Sequence, residues 1–247
     1  MNSKRQIQKL RDDAELAQAA YGYFHLVDKT YKHNDKDEKR LNEFKDNFKK
    51  YKPNESQRDI TYADILDITY KYYLDDNGKP KDGFFDDRLF DGDFSPLQAQ
   101  RFFSRYDLLI HQPNTESGFS ATLFGEKTKQ KNTESKEISY TSEYGYINYT
   151  LAIRGTKPSD TGDLKTDARM ALGYIPQGQY NDMLRFYNQC KAKYPAMTES
   201  KSLNIVGHSL GGALTQMLVL SICDDKNEAN INEVYTFNSH LESKKAA

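Results

Sequence analysis

Apolar residues recur at steps of three and four through Ile7, Leu10, Ala14, Ala17, Tyr21 and Phe24, which predicts a long first helix carrying one apolar stripe. A second helix is expected from Asp37 to Tyr51, with Leu41, Phe44, Phe48 and Tyr51 on one side. A third runs from Thr61 to Leu74. Thr61 is its cap, Asp64 stands three residues on as an acidic capping-box partner, and Asp75-Asp76-Asn77-Gly78 stops it. From Gly78 to Phe94 no period is visible, and the segment reads as a loop packing through Phe84, Phe85, Leu89 and Phe90. Ser95-Pro96 then opens another helix by the cap-then-proline rule.

From Tyr106 the pattern changes. Strands are expected at Leu108–Ile110, Gly118–Phe124 and Tyr146–Ile153, with the polar Lys, Thr, Glu and Ser run around residues 126–143 read as a mobile loop. A helix from Gln179 to Lys193 sets Tyr180, Met183, Leu184, Tyr187 and Cys190 on one face. Then come a short apolar strand at Ser202–Val206, a helix marked by Leu210, Leu214, Met217, Leu218 and Ile222, and a last strand at Glu233–Asn238. Alternation of this kind predicts an α/β fold with a mostly parallel sheet and flanking helices. The expected division is a helical N-terminal region, 1–94, packed on an α/β domain, 95–247. No internal repeat is visible.

Composition narrows the classes. A chain of 247 residues can bury a substantial core. A net charge of −1 with interleaved charges gives no sign of a nucleic-acid partner. The first residues contain no apolar run long enough for a signal peptide and no segment reaches transmembrane length, so the default expectation is a cytoplasmic protein, export without a cleaved signal being the alternative. Cys190 and Cys223 both fall in predicted helices and are expected to be buried free thiols. The five histidines show no metal-ligand spacing, and neither a metal nor another cofactor is expected.

The candidate chemistry lies at Gly207-His208-Ser209-Leu210-Gly211, between a predicted strand and a predicted helix. This G-x-S-x-G pattern in that context is a nucleophile elbow, a sharp turn that holds one serine in a strained, exposed conformation. Gly211, Gly212 and Ala213 open the helix with almost no side chain, so it can approach the sheet and leave its first N–H groups open to an anion. Ser209 is the candidate nucleophile. The Leu210 N–H is one oxyanion donor by geometry, and Thr156, in Ile153-Arg154-Gly155-Thr156 after an earlier strand, is the candidate second.

Three segments in order, Ile153-Arg154-Gly155-Thr156, Val206-Gly207-His208-Ser209-Leu210-Gly211-Gly212-Ala213 and Val234-Tyr235-Thr236-Phe237-Asn238-Ser239, resemble the class 3 or fungal-type lipases of the α/β-hydrolase fold. The resemblance implies a serine esterase acting on lipid acyl esters, triacylglycerol or phospholipid, similar to bacterial phospholipase A1-like members. Ser209 would be the nucleophile, with Thr156 and Leu210 as the oxyanion hole. A lipid ester substrate and transient contact with a membrane surface follow as the expected partners.

The sequence departs from the family in two places. Asp163-Leu164-Lys165-Thr166-Asp167 lacks the tryptophan common there, and Asp163 and Asp167 are read as helix-capping or structural. After Asn238-Ser239 the sequence runs only from His240 to Ala247, so the strands that deliver the catalytic Asp and His are expected to be missing. The expectation is a truncated chain, inactive alone, with an open sheet edge prone to self-association or to pairing with a separate remainder. The alternative is a non-catalytic lipid-binding or interaction module. Of the histidines, His240 is the one after the serine, His208 points away from it within the elbow, and His111 reads as structural.

Overall fold

A computed structural model describes residues 3–51, 58–75, 77–79, 88–133, 135–155, 177–199, 201–223 and 231–239. The chain divides into two compact units, Met1–Ala20 with Ser104–Ala247, and Tyr21–Phe103.

In the first unit, helix α1 (Ser3–Ala19) precedes a five-stranded sheet of β1 (Tyr106–Gln112), β2 (Ala121–Lys131), β3 (Ile138–Ile153), β4 (Leu203–His208) and β5 (Ile231–Phe237) in that spatial order. β2 runs antiparallel to both neighbours, whereas β3, β4 and β5 pair in parallel, so β1, β3, β4 and β5 all point the same way. Two further helices complete the unit, one at Gln177–Lys193 and one at Leu210–Ile222 that starts directly from β4.

β4 is buried from Leu203 to Gly207, as a strand covered on both faces must be. Leu203 and Ile205 face the two C-terminal helices in a core with Leu123, Leu151, Ile153, Met183, Phe186, Leu210, Leu214 and Leu218. The alternate positions, Ala152 and Val206, are equally buried on the opposite face, where α1 lies with Leu16, Ala17, Ala19 and Ala20. Alanines let α1 approach the strands closely. The result is three layers, helix, sheet and helices.

The second unit is built on aromatic packing. Phe44 meets Tyr70 and Phe90 at ring-centroid distances of 5.1 and 5.5 Å, and Phe102 meets Phe94 at 5.5 Å. Its helices are α2 (Asp35–Tyr51) and α3 (Tyr62–Leu66), followed by α4 (Pro96–Arg105), which leads into β1. The Thr61 capping box with Asp64 forms as the sequence predicts. The expected helix to Leu74 instead stops at Leu66. There Ile68 N–H donates to the Phe94 carbonyl, Phe94 N–H donates to that of Leu66, and the Asp67 carboxylate takes the Thr69 N–H. Paired in this way, the backbone has no groups left to continue a helix. Leu89 and Phe90 are buried as expected, while Phe84 and Phe85 lie outside the described residues.

The polar run at 126–143 is not a loop. Thr128 pairs with Thr141, Lys129 with Tyr140, Gln130 with Ser139 and Lys131 with Ile138, which extends β2 and β3 into a long hairpin solvated on both faces. β-branched and aromatic residues at these cross-strand positions hold it, a signal masked by the lysines between them. Pairing skips from Thr128–Thr141 to Lys127–Tyr146, so residues 142–145 bulge outward with Gly145 at φ 90°. Cys190 is buried, which pushes its thiol up to about 12, but Cys223 at the end of its helix is only partly buried, against the expectation.

On the α1 side of the sheet the contact is electrostatic. Arg105 donates to Asp12 Oδ2 at 2.5 Å and, through Nε and Nη2, to Glu126 Oε1 at 2.9 and 2.6 Å. Asn148 donates to the other Glu126 oxygen at 2.9 Å, and Lys9 pairs with Glu233 on β5. Within this group Asp13 is 4% exposed, and its Oδ2 finds no hydrogen-bond partner among the described residues. Burial pushes its carboxyl up to about 7; Lys9 and Arg105 oppose that shift, and Asp12 and Glu126 add to it.

Asp13 holds its proton more tightly in the folded chain than in the unfolded one. Its stabilising contribution is therefore full below about pH 4 and is lost as pH rises through about 7. The change amounts to a few kcal/mol at about 1.4 kcal/mol per unit. Asp13→Asn, which keeps the uncharged form at every pH, should gain stability over the wild type as pH rises from 4 to 7. Urea unfolding of both proteins across that range checks this; a difference that stays constant with pH would refute it.

Candidate active site

The parallel strands end on one edge of the sheet, the edge where α/β folds gather their functional groups. Ile153 of β3 pairs with Gly207 of β4, which pairs with Thr236 of β5. Just beyond this row the chain turns at Ser209 into the helix Leu210–Ile222, here α6, with Gln177–Lys193 as α5.

Ser209 has φ 55° and ψ −126°, the conformation of the first central residue of a type II′ turn, which favours glycine. A serine held there stores on the order of 1–3 kcal/mol of strain. Its backbone is fixed on both sides. The Ser209 N–H donates to the Phe237 carbonyl at 2.8 Å, and the Ser209 carbonyl accepts from Gly212 and Ala213 at 2.9 and 3.2 Å.

Two glycines make the turn possible by close approach. A Cβ on Gly207 would lie 2.3 Å from the Gly211 carbonyl oxygen and 2.6 Å from Thr215 Oγ1. One on Gly211 would lie 2.2 Å from the Ile153 oxygen. These obstacles are mostly backbone and cannot swing aside, so the start of α6 rests directly on the ends of β3 and β4. The motif's glycines are thus required by contact as well as by curvature. Ser209 is half-buried, and the adjoining Leu210 side chain is buried in the core. The Leu210 N–H belongs to the first turn of α6, where N–H groups lack intrahelical acceptors.

Side chains to which the sequence assigned no role brace this edge. Arg154, at the end of β3, is buried; its Nη2 donates to Asn114 Oδ1 at 2.5 Å and its N–H to the Ser120 carbonyl at 3.0 Å. It thereby ties the segment between β1 and β2 to the strand that leads toward Thr156. On the other side Gln216 of α6 donates to Ser239 Oγ at 3.0 Å, and Ser239 donates to Thr236 Oγ1 at 3.1 Å. Asn238 between them adopts φ 48°, a left-handed conformation that asparagine tolerates. The arginine lay within a quoted motif without an assigned role; nothing in the sequence pattern marks Gln216.

Thr156, Asp163, Asp167 and His240 lie outside the described residues. In the unit that carries Ser209 the described histidines are His111 and His208. His111 shares a register row with Thr122, Ala152 and Val206, so three strand spacings, about 14 Å, separate it from β4. Its Nδ1 is hydrogen-bonded to Thr122 Oγ1 at 2.9 Å. His25 pairs with Asp37 at 3.3 Å in the second unit, and burial holds its pKa below the usual histidine value. No metal-binding cluster of His, Cys, Asp or Glu occurs among the described residues.

One antiparallel strand among parallel ones, helices on both faces and a strained serine between a central strand and its helix define an α/β-hydrolase-type fold. Residues 126–240 match the family described as lipase (class 3). No curated protein matches the sequence significantly.

Among solved structures the chain is similar to the Lip2 lipase of Yarrowia lipolytica, at 18% identity over 72% of this chain and 57% of that one, with a TM-score of 0.37. It is also similar to the extracellular lipase LipA of Serratia marcescens, at 18% identity over 93% of this chain and 36% of that one, with a TM-score of 0.42. The chain thus spans little more than half of the first lipase and about a third of the second.

By releasing the strain at Ser209, Ser209→Gly should raise stability by about 1 kcal/mol, whereas Ser209→Ala, which keeps a Cβ, should leave it nearly unchanged. Gly211→Ala should cost about 3 kcal/mol because backbone must move. Chemical denaturation of the three variants tests the set; a Gly211→Ala protein as stable as the wild type would sink the close-packing account.

Proposed function

We propose that this chain is a serine ester hydrolase acting on acyl esters of lipids, with Ser209 as nucleophile. The observation that carries the reading is the conformation of Ser209, strained, hydrogen-bonded on both sides and set at the start of a glycine-opened helix. The class 3 lipase match over residues 126–240 supports the choice of a lipid ester. In this reading the Ser209 hydroxyl attacks the ester carbonyl, and the oxygen that becomes negative is received by the Leu210 N–H and by Thr156. The helix start adds the positive end of its dipole at the same point. Triacylglycerol and phospholipid are both substrates of the proposed class.

A second reading rests on the histidines. His111 lies too far from Ser209 to take its proton, and His208 is its neighbour in the chain, so no described histidine is assigned as general base. A non-catalytic lipid-binding module with the hydrolase fold fits that observation. The absence of an active base would leave only a small part of the usual rate, since removing the histidine or the serine of a complete triad costs on the order of a million-fold.

Treatment of the full chain with a fluorophosphonate probe separates the two. Hydrolase chemistry predicts covalent labelling that Ser209→Ala abolishes, together with hydrolysis of a short-chain nitrophenyl ester reduced at least about a thousandfold by the same change. Lipid binding without labelling would overturn the hydrolase in favour of the module.

A further inference from the structure

The predicted apolar stripe of α1 is used only in part. Ala17 of that stripe is buried, with Asp13, Leu16, Ala19 and Ala20 beside it, but Ile7 is 69% exposed and Leu10 48%. Residues 3–8, 10 and 11 are all exposed, so the first two turns of the helix extend beyond the surface that its second half covers. An apolar pair left uncovered on so short a free stretch gains nothing from the fold, and an isolated two-turn helix is marginal in water.

The charge around that pair is of one sign. Residues 3–11 contain Lys4, Arg5, Lys9 and Arg11 and no acidic residue. Ile7 stands three residues after Lys4 and four before Arg11, and Leu10 three after Ile7, so apolar and cationic side chains share one face by helical spacing. Lys9 is turned to Glu233, and Arg11 reaches its neighbour Asp12 at 2.8 Å while staying 58% exposed.

We propose that the N-terminal half of α1 docks on an anionic lipid surface, with Ile7 and Leu10 entering the headgroup boundary and Lys4 and Arg11 engaging lipid phosphates. Such a helix end has the composition of an interfacial segment, apolar on one strip with cations beside it. A second copy of this chain is the poorer occupant, because pairing the same patch would set its cations, Lys4 and Arg11, against their own copies. A nucleic acid would use the cations but would leave the apolar pair without a role. With the whole chain at net charge −1, attraction comes from this local patch and is sensitive to salt. The inference rests on the proposed lipid-ester substrate for its choice of lipid, yet it concerns binding, which fails or succeeds apart from hydrolysis.

Co-sedimentation of the full chain carrying Ser209→Ala with vesicles tests it, using phosphatidylcholine alone and phosphatidylcholine mixed three to one with phosphatidylglycerol. Binding to the mixed vesicles should exceed binding to the neutral ones and weaken with added salt. Ile7→Gln with Leu10→Gln should weaken it more than about tenfold, and Lys4→Gln with Arg11→Gln about twenty-five-fold, at about fivefold per charge. All four positions are exposed and glutamine is a good helix former, so unchanged circular dichroism and unfolding temperature should accompany the loss. Absence of binding to anionic vesicles, or variants that bind like the parent, would overturn the proposal. So would a dimer on gel filtration that Ile7→Gln with Leu10→Gln dissolves, since that assigns the patch to a second copy.

Discussion

The backbone of α6 lies against the ends of β3 and β4 more closely than any side chain larger than hydrogen allows, and the site depends on that approach. Because Gly211 touches the Ile153 carbonyl and Gly207 touches Gly211, the turn between strand and helix has no slack. Ser209 must therefore take a conformation that an L-residue resists. The strain persists because its surroundings over-determine it: the core beneath α6, the N–H bond to Phe237 and the two bonds into its carbonyl all oppose relaxation.

The two faces of the sheet are held by different physics. Toward α5 and α6 the contact is apolar, with Leu, Ile, Met and Phe side chains interlocked over β3 and β4. Toward α1, alanines bring the helix close while Arg105, Asp12, Glu126, Lys9 and Glu233 make a part-buried charge network. Arg105 serves two carboxylates at once, and its guanidinium also lies 4.9 Å from the Tyr106 ring. Asp13 sits within reach of this network with no hydrogen-bond partner for its Oδ2 among the described residues, and burial, with Asp12 and Glu126 nearby, makes its ionised form expensive.

Much of this was legible in the sequence wherever a pattern had one physical cause. The elbow was readable because its glycines, its strand and its helix each carry a separate local signal, and the structure realises all three. The capping box at Thr61 was readable for the same reason. Failures came where tertiary pairing overrode local preference. Periodicity alone extended a helix toward Leu74, but Phe94 claims the backbone groups of Leu66 and Ile68. The lysine-rich run after Glu126 looked like a loop because both faces of its hairpin are solvated, which removes the alternation that marks a half-buried strand. Arg154 lay in a quoted motif without an assigned role and Gln216 in none; their roles exist only between segments distant in the chain.

The position of the serine bears on whether the elbow is more than a way to turn the chain. If the turn alone mattered, glycine would serve better at φ 55°, since it adopts that conformation without the steric penalty of a Cβ. The serine keeps that penalty, makes no capping bond to the helix it precedes, and sits at the strand-end edge beside the first N–H groups of α6. A hydroxyl spent on capping would have offset part of the cost by satisfying one of those groups. With the cap unused, the Ser209 side chain stands at this edge beside the Leu210 N–H, in keeping with the attack on an acyl carbonyl proposed above.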